Sequence, residues 1–256
     1  MKAENFSLPA YLERIGYPGE ARADLASVTE MMRRQLFTVP FENLDVQAGK
    51  IVSLEPADIV DKIVGRGRGG YCYEVNGLFA MALEALGVPW RFAGARPMTY
   101  AARRPKTHVV IIATLDGEDW LIDLGFGSYG MRAPMRLNEL DVDVRQGYDT
   151  FRLSKPGEHE YMLQALVEGK WASQFSFDLW PAEWIDFMPA NYVNSTHPDA
   201  LFVKTLVVVL FDAEGRSMLL GNMLKTVTRG ETNKRTVLPT ERDIILADWF
   251  GLEPGA

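Results

Sequence analysis

The sequence of 256 residues contains a single cysteine, Cys72, and only three histidines, His108, His159 and His197. One cysteine cannot close an intramolecular disulfide, so nothing in the chain argues for an oxidising compartment. A zinc site built from cysteine and histidine alone would need all four of these residues, and they do not stand at ligand spacing. The expectation is chemistry without a metal. Long apolar runs are missing too: the longest, Leu206 to Phe211, is far too short to cross a bilayer and suits a buried strand. Met1 to Gly16 carries acidic residues and no continuous apolar region, unlike an export signal. Positive charge is in deficit, with 27 Lys and Arg against 34 Asp and Glu for a net −7. That balance is a poor basis for binding nucleic acid or an anionic membrane. The expectation is a soluble cytoplasmic protein with neither as a partner.

What is present is ordinary in bulk. With 47% hydrophobic and 24% charged residues, collagenous, disordered and disulfide-scaffold classes are excluded, and the length suits one large domain or two to three small ones. The first third reads as helices. Leu8 to Ile15 follows Ser7, has Pro9 in its first turn and stops at Gly16; a second helix runs from Asp24 to Phe37; a third lies near Leu54 to Val64 with Ser53 as N-cap. From Cys72, the residues Val75, Leu78, Phe79, Ala82, Leu83 and Leu86 form a helical stripe closed by Gly87 and Pro89.

Beyond Pro89 the pattern turns to strands. Val109 to Thr114 and Trp120 to Leu124 flank Asp116-Gly117, a hairpin signal. Further strands are expected at Tyr148 to Leu153, Glu160 to Val167 and Lys170 to Phe177, the last two joined across Glu168-Gly169. Leu179 to Pro198, rich in Pro and Trp, reads as irregular chain. The tail offers strands at Thr205 to Phe211, Ser217 to Leu220 and Leu224 to Thr228, then a helix, Glu241 to Phe250, capped by Thr240 and ended by Gly251. There is no internal repeat and no low-complexity tract.

Arg66-Gly-Arg-Gly-Gly-Tyr-Cys72-Tyr-Glu-Val-Asn76 is the most unusual segment. Two glycines lead into the helical stripe and place Cys72 in or just before its first turn. Free N–H groups and the helix dipole favour a thiolate there, as do Arg66 and Arg68, and the same N–H groups suit an oxyanion on an attacked carbonyl. The competing reading is an inert buried cysteine. With a two-residue turn at Asp116-Gly117, His108 stands opposite Gly125, and Asp123 becomes its diagonal neighbour on one sheet face, roughly 7–8 Å away at the backbone. A turn longer by one residue would reverse that parity. Taken singly, His108 could be an exposed strand-edge residue and Asp123 a turn cap, but neither reading explains both. Thiol, imidazole and carboxylate together fit nucleophilic catalysis. His159 reads as a solvated turn residue and His197 as the holder of a chain bend.

Gly125-Phe-Gly-Ser-Tyr-Gly130 matches G-x-G-x-x-G after a strand, but Met-Arg-Ala-Pro134 follows instead of an amphipathic helix, so the dinucleotide-binding context fails. The loop should nevertheless border the site, since it begins two residues after Asp123. Arg103-Arg104-Pro105-Lys106, beside His108, reads as a solvated basic loop, with contact to an anionic cofactor as the alternative.

The blocks Pro40-Phe-Glu-Asn-Leu44, Arg68-Gly-Gly-Tyr-Cys72-Tyr-Glu-x-Asn76, Thr107-His108, Asp123-Leu-Gly-Phe-Gly127 and Ser195-Thr-His-Pro-x-x-x-Phe202 resemble, in order, those of the arylamine N-acetyltransferases. The length suits the bacterial type. The resemblance implies an α+β fold: a helical bundle (1–88), an antiparallel β-barrel (89–196) and an α/β lid (197–256) around a papain-like Cys-His-Asp core. It implies acetyl-coenzyme A as acyl donor and arylamines, arylhydrazines or arylhydroxylamines as acceptors. Cys72 would be the acetylated nucleophile, His108 the base and Asp123 its orienter in a ping-pong cycle. Phe41, Phe126 and Phe202 would line the acceptor pocket. Thr107, Gly127, Lys234 and Arg235 would contact the coenzyme, and Glu42 would pair with Arg68. Within this fold the rival is an amide synthase that cyclises a polyketide; outside it, a cysteine hydrolase or a non-catalytic binding protein.

Overall fold

The computed structural model describes residues 1–127 and 129–253. Ser128, inside the G-x-G-x-x-G match, and Pro254 to Ala256, at the end of the 197–256 segment, lie outside the described residues. Helix α1 (Leu8–Arg14) is capped by Ser7, whose hydroxyl accepts the Ala10 N–H, and α2 (Leu25–Thr38) by Asp24, whose carboxylate accepts the Ser27 N–H at 2.8 Å. Strand β1 (Phe41–Glu42) and helix α3 (Leu44–Gln47) follow; elements this short carry no periodicity to read.

The helix expected over 54–64 is shorter. Helix α4 (Pro56–Val60) begins on Pro56, whose fixed φ suits a first helical position, and passes into a π-helical turn, Asp61–Gly65. Ser53 does not cap it. Its hydroxyl accepts the Glu55 N–H at 3.2 Å and donates to Asp58 at 2.6 Å. Helix α5 (Cys72–Leu86) ends at Gly87 in the left-handed region, φ 75°. The apolar stripe understates its burial: every residue from Cys72 to Leu83 is buried, so α5 is the axis of the core.

Strands β2 (Trp90–Pro97), β3 (His108–Leu115), β4 (Glu118–Ile122), β5 (Met135–Arg136), β6 (Val144–Gln146), β7 (Asp149–Ser154), β8 (Tyr161–Val167) and β9 (Lys170–Phe177) form one antiparallel sheet. Their order is β5-β4-β3-β2-β9-β8-β7-β6, so β5 and β6 remain edges and the expected barrel is an open, curled half-barrel. Asp116 and Gly117 both have positive φ, 52° and 80°, as a tight two-residue hairpin turn requires. The resulting register pairs Ile111 with Ile122.

The 179–198 stretch is not irregular chain. It holds a 3-10 turn, Trp184–Phe187, and α6 (Met188–Thr196), with Pro189 in the first turn, where its missing N–H costs nothing. After α7 (Leu201–Lys204) come β10 (Val207–Phe211), β11 (Gly215–Leu220), β12 (Met223–Thr228), β13 (Glu231–Thr236) and α8 (Arg242–Phe250). Thr240 lies in a 3-10 turn, Pro239–Glu241, rather than at a cap; Gly251 ends α8 as expected.

The second sheet is a wholly antiparallel five-stranded one, β1-β10-β11-β12-β13, whose first strand comes from the first third of the chain. Strand alternation gives it two distinct faces. On one, Val208, Leu219 and Leu224 pack with Ile245, Leu246 and Phe250 of α8. On the other, Val207, Val209, Phe211 and Met218 join the main core around α5. Among the described residues, no helix is long and apolar enough to cross a membrane.

Candidate active site

Two glycines bring the Cys72 loop against β1. A Cβ on Gly69 would lie 2.0 Å from the Pro40 carbonyl oxygen, and one on Gly70 2.6 Å from Glu74 Cβ. Gly70 exchanges backbone hydrogen bonds with Pro40 and Glu42 at 3.2 and 3.0 Å. Cys72 is the first residue of α5, and the Glu74 carboxylate accepts the Tyr71 N–H at 2.9 Å, half of a capping box. On the far side, Gly125 abuts the same residue: a Cβ there would stand 2.5 Å from Cys72 Cα.

His108 opens β3 and Asp123 lies one residue past β4. The hairpin register makes them diagonal neighbours, and His108 Nε2 sits 2.9 Å from Asp123 Oδ2. Both side chains are buried. Asp123 Oδ1 accepts the Gly125 N–H at 2.8 Å and the Asn76 side-chain amide at 3.0 Å. Asn76 also donates to the Val109 carbonyl and accepts the Leu124 N–H, each at 2.9 Å. No role for Asn76 was read from the sequence, although its i+4 spacing puts it on the Cys72 face of α5. Ahead of His108, the Thr107 carbonyl accepts from the Tyr73 hydroxyl at 2.9 Å and the Asn194 amide at 3.1 Å.

Burial pushes the Cys72 thiol well above the usual range, and the nearby Asp123 charge adds to it; hydrogen bonds from the Tyr73 and Val109 N–H groups act the other way. The arginines expected to help are engaged elsewhere. Arg66 is exposed and holds Asp61 at 3.1 Å, and Arg68 holds Glu42 at 2.7 Å. The sulfur therefore loses its proton only where an adjacent base takes it.

Cys72 and His108 line one cavity of about 370 Å³, together with Phe41, Phe126 and Phe202, and with Thr107 and Gly127. The His108 ring packs against Phe126 at 5.4 Å and Phe175 at 5.2 Å, and Phe202 packs against Phe41 and Tyr71. Gly127, at φ 87°, lies against the Phe41 ring. The cavity wall is mostly apolar, with one thiol, one carboxylate-bound imidazole and the Arg104 side chain among its polar groups. A thiol beside an imidazole in such a wall is chemically suited to nucleophilic attack on a carbonyl.

The chain is similar to proteins of known family and structure. Residues 24–254 match the family model described as N-acetyltransferase. The arylamine N-acetyltransferase of Mycolicibacterium smegmatis is 33% identical over 237 residues, covering 88% of this chain and 84% of that one. The chain belongs to the arylamine N-acetyltransferase family. Human arylamine N-acetyltransferase 1 is 31% identical, covering 84% of this chain and 81% of its own length. Among solved structures, the arylamine N-acetyltransferase from M. tuberculosis superposes with a TM-score of 0.90 at 32% identity, covering 98% and 97% of the two chains. The Mycobacterium marinum enzyme in complex with CoA gives 0.89 at 31% identity over 96% and 92%.

In this arylamine N-acetyltransferase the Glu42–Arg68 pair belongs to a larger buried cluster. Lys62 Nζ lies 2.7 Å from Glu74, 2.6 Å from Asp45 and 3.6 Å from Glu42. Burial raises the Glu74 carboxyl to about 7 against the pull of Lys62. The three carboxylates together hold the Lys62 ammonium above its ordinary value despite its burial. The cluster ties β1, α3 and the π-helical turn to the α5 start that carries Cys72. Lys62 and Asp45 left no trace in the sequence reading, because their partners come from separate elements.

Strand alternation separates Lys234 from Arg235. Phe41, Val209, Met218, Lys225 and Lys234 form one cross-strand row, whose first three members line the cavity. The next row, Glu42, Val208, Leu219, Leu224 and Arg235, belongs to the α8 face, where Arg235 lies 3.4 Å from Glu241. The basic loop is likewise divided. Arg103 is exposed, Lys106 pairs with Asp178, and Arg104 is half-buried in the cavity wall, so the solvated-loop reading fails for Arg104. His197 closes α6 and holds a bend, its Nδ1 accepting the Asp199 N–H at 3.1 Å. His159 is exposed.

Proposed function

We propose that this protein transfers acetyl from acetyl-coenzyme A to the nitrogen of arylamines, arylhydrazines or arylhydroxylamines through an acetyl-cysteine. The observation that carries the reading is that Cys72, three phenylalanines and His108, itself bound to Asp123 behind the wall, line one cavity. His108 takes the Cys72 proton, and Asp123 fixes the imidazole tautomer and supports the imidazolium, a papain-like division of labour. The thiolate attacks the thioester carbonyl, and the tetrahedral oxyanion forms beside free N–H groups at the start of α5. The carbon–sulfur bond to coenzyme A breaks, and His108 returns its proton to the departing thiolate.

The amine then enters the emptied cleft between Phe41, Phe126 and Phe202. Its nitrogen is largely neutral near pH 7, so its lone pair attacks the acetyl-cysteine directly. His108 accepts the ammonium proton and delivers it to the Cys72 sulfur as the amide leaves. Lys234, in line with Lys225 on the cavity face, is the better placed of Lys234 and Arg235 to meet the donor's phosphates, with Thr107 and Gly127 nearer the thioester. Glu42 and Arg68 hold the loop. The division into 1–88, 89–196 and 197–256 assigns the nucleophile to the first part, His108 and Asp123 to the second, and the cover to the third.

Intact mass after acetyl-coenzyme A tests the reading. The expected result is one added acetyl group, absent in Cys72→Ala and removed by an aryl amine. Parallel double-reciprocal lines are expected in steady state; intersecting lines, or full activity in Cys72→Ala, would overturn it.

A further inference from the structure

Resting on the acetyl-transfer reading above, we infer that α6 clamps the reacting pair: Asn194 and Tyr73 are positioning residues that set how the His108 imidazole meets the Cys72 thiol. Helix α6 is built the wrong way round for a helix that only packs. Met188 and Tyr192 are 55% and 57% exposed, while the buried residues are Asn191, Asn194 and Ser195. Surface helices normally turn apolar residues inward, and burying two amides and a hydroxyl is costly unless each is hydrogen-bonded. Spacing of i, i+3 and i+4 puts the three on one face.

That face grips the residues flanking Cys72 and His108. Tyr71, just before Cys72, donates its hydroxyl to Asn191 Oδ1 and lies 3.2 Å from Ser195 Oγ. The Asn191 amide is itself fixed by donating to the Val52 carbonyl at 2.8 Å. Asn194 Nδ2 donates to the carbonyl of Thr107, just before His108, at 3.1 Å. Tyr73, just after Cys72, donates to the same carbonyl at 2.9 Å. One acceptor thus joins the helix of the nucleophile, the strand of the base and α6.

The Tyr73 ring is buried between Tyr71 and Phe187, the residue before α6, so its hydroxyl is held in place. Asp123 fixes one edge of the imidazole; the approach of the ring to Cys72 depends on the backbone that carries it. The Thr107 carbonyl and the His108 N–H share one planar peptide, so donors on that carbonyl hold the point from which the imidazole projects. A shift of about 1 Å between reacting groups can cost about 100-fold in rate.

The test is the rate of Cys72 alkylation by iodoacetamide against pH, with no acyl donor, in wild type, Tyr73→Phe, Asn194→Leu and the double variant. Each single substitution keeps the side-chain shape and removes one donor. The midpoint is expected to rise by about one pH unit in each single variant, a loss of about tenfold at neutral pH. The double variant strips the carbonyl of both donors, so its shift should exceed the sum of the two. The other ionisable groups that act on the thiol or feel its charge, Asp123, Glu74, Tyr71 and Tyr100, are unchanged, and burial keeps the Tyr73 hydroxyl protonated over this range.

Tyr11→Phe is the control. It too removes a buried tyrosine hydroxyl bond, to Gln35 at 2.8 Å, and should lower stability while leaving the profile in place. Single-turnover acetylation by acetyl-coenzyme A should slow about tenfold in each single variant, with the half-saturating concentration unchanged. An unchanged profile in Tyr73→Phe, whose packing is least disturbed, overturns the inference. So does an equal shift in Tyr11→Phe, which would reduce the clamp to general stability. A raised half-saturating concentration with an unchanged rate also overturns it and assigns Asn194 to substrate contact. If wild type forms no acetyl-enzyme, the acetyl-transfer reading fails, and the alkylation profile still decides whether Tyr73 and Asn194 govern the thiol.

Discussion

His108 Nε2 and Asp123 Oδ2 meet at 2.9 Å, and both side chains are almost wholly buried. The contact is a consequence of hairpin register: a two-residue turn puts both side chains on one face of the half-barrel, turned toward the start of α5. In this setting Asp123 has its other oxygen occupied by Asn76 and Gly125, so the carboxylate is fixed in place before any substrate arrives.

Replacing Asp123 with Asn keeps the shape but presents the wrong hydrogen-bonding edge to the imidazole. Acetylation of Cys72 is expected to slow roughly 10³–10⁴-fold, the loss typical when such a tautomer is reversed. Single-turnover mass measurements with acetyl-coenzyme A check it, and a loss below tenfold would remove Asp123 from the mechanism.

The thiol makes a separate prediction. Since burial raises the Cys72 thiol, its neutral form prevails near pH 7 unless His108 takes the proton. Iodoacetamide should alkylate wild type rapidly at pH 7 and His108→Gln only at markedly higher pH. Equal rates at pH 7 in the two proteins would show that the thiolate does not depend on the imidazole.

Asn76 is buried and ties α5 to three groups, the Val109 carbonyl of β3, the Asp123 carboxylate and the Leu124 N–H. Asn76→Ala leaves the Leu124 N–H and the Val109 carbonyl without this partner, so stability should drop by about 1–3 kcal/mol. As a positioning residue it should lower kcat more than it raises KM. Denaturant unfolding read beside steady-state kinetics separates the two effects; a stability loss with unchanged kcat would make Asn76 structural only.

Lys62 sits among Glu42, Asp45 and Glu74; Arg68 still faces Glu42 and Asp45 without it, but Lys62→Met leaves the buried Glu74 with no cation, at a cost of about 3–5 kcal/mol. The pH dependence follows from the raised Lys62 value. Its contribution is complete below the ordinary lysine pKa of 10.5. It is lost as pH rises beyond that, because the unfolded chain releases the proton first. Urea unfolding at pH 8, 10 and 11.5 should show a steeper decline in wild type than in Lys62→Met, since the buried Tyr11, Tyr71 and Tyr73 decline in both; parallel declines would refute the assignment.

Much of the site was legible along the chain because it rests on local rules. Gly69 and Gly70 before an apolar stripe located Cys72 at a helix start, and Asp116-Gly117 set the parity that joins His108 to Asp123. Family blocks then drew attention to Phe41, Phe126 and Phe202. Legibility failed where partners are distant or a proline misled: α6 was hidden by Pro189 in its first turn, and β1 was too short to show a pattern. The open edge of the half-barrel was also invisible, since closure depends on whether β5 meets β6 in space.

The sequence by itself determined the chemistry on offer: one thiol, a histidine beside a hairpin, and a carboxylate in register with it, all set by neighbours within a few residues. Only the tertiary structure decided what each charge faces. Arg66 and Arg68 were local candidates to activate Cys72, yet folding pairs them with Asp61 and Glu42. Arg104 was one of several basic loop residues, yet it is the one that lines the cavity. Charge interactions act through space and depend on burial, so a linear order that places side chains on a strand or helix does not say which of them meet.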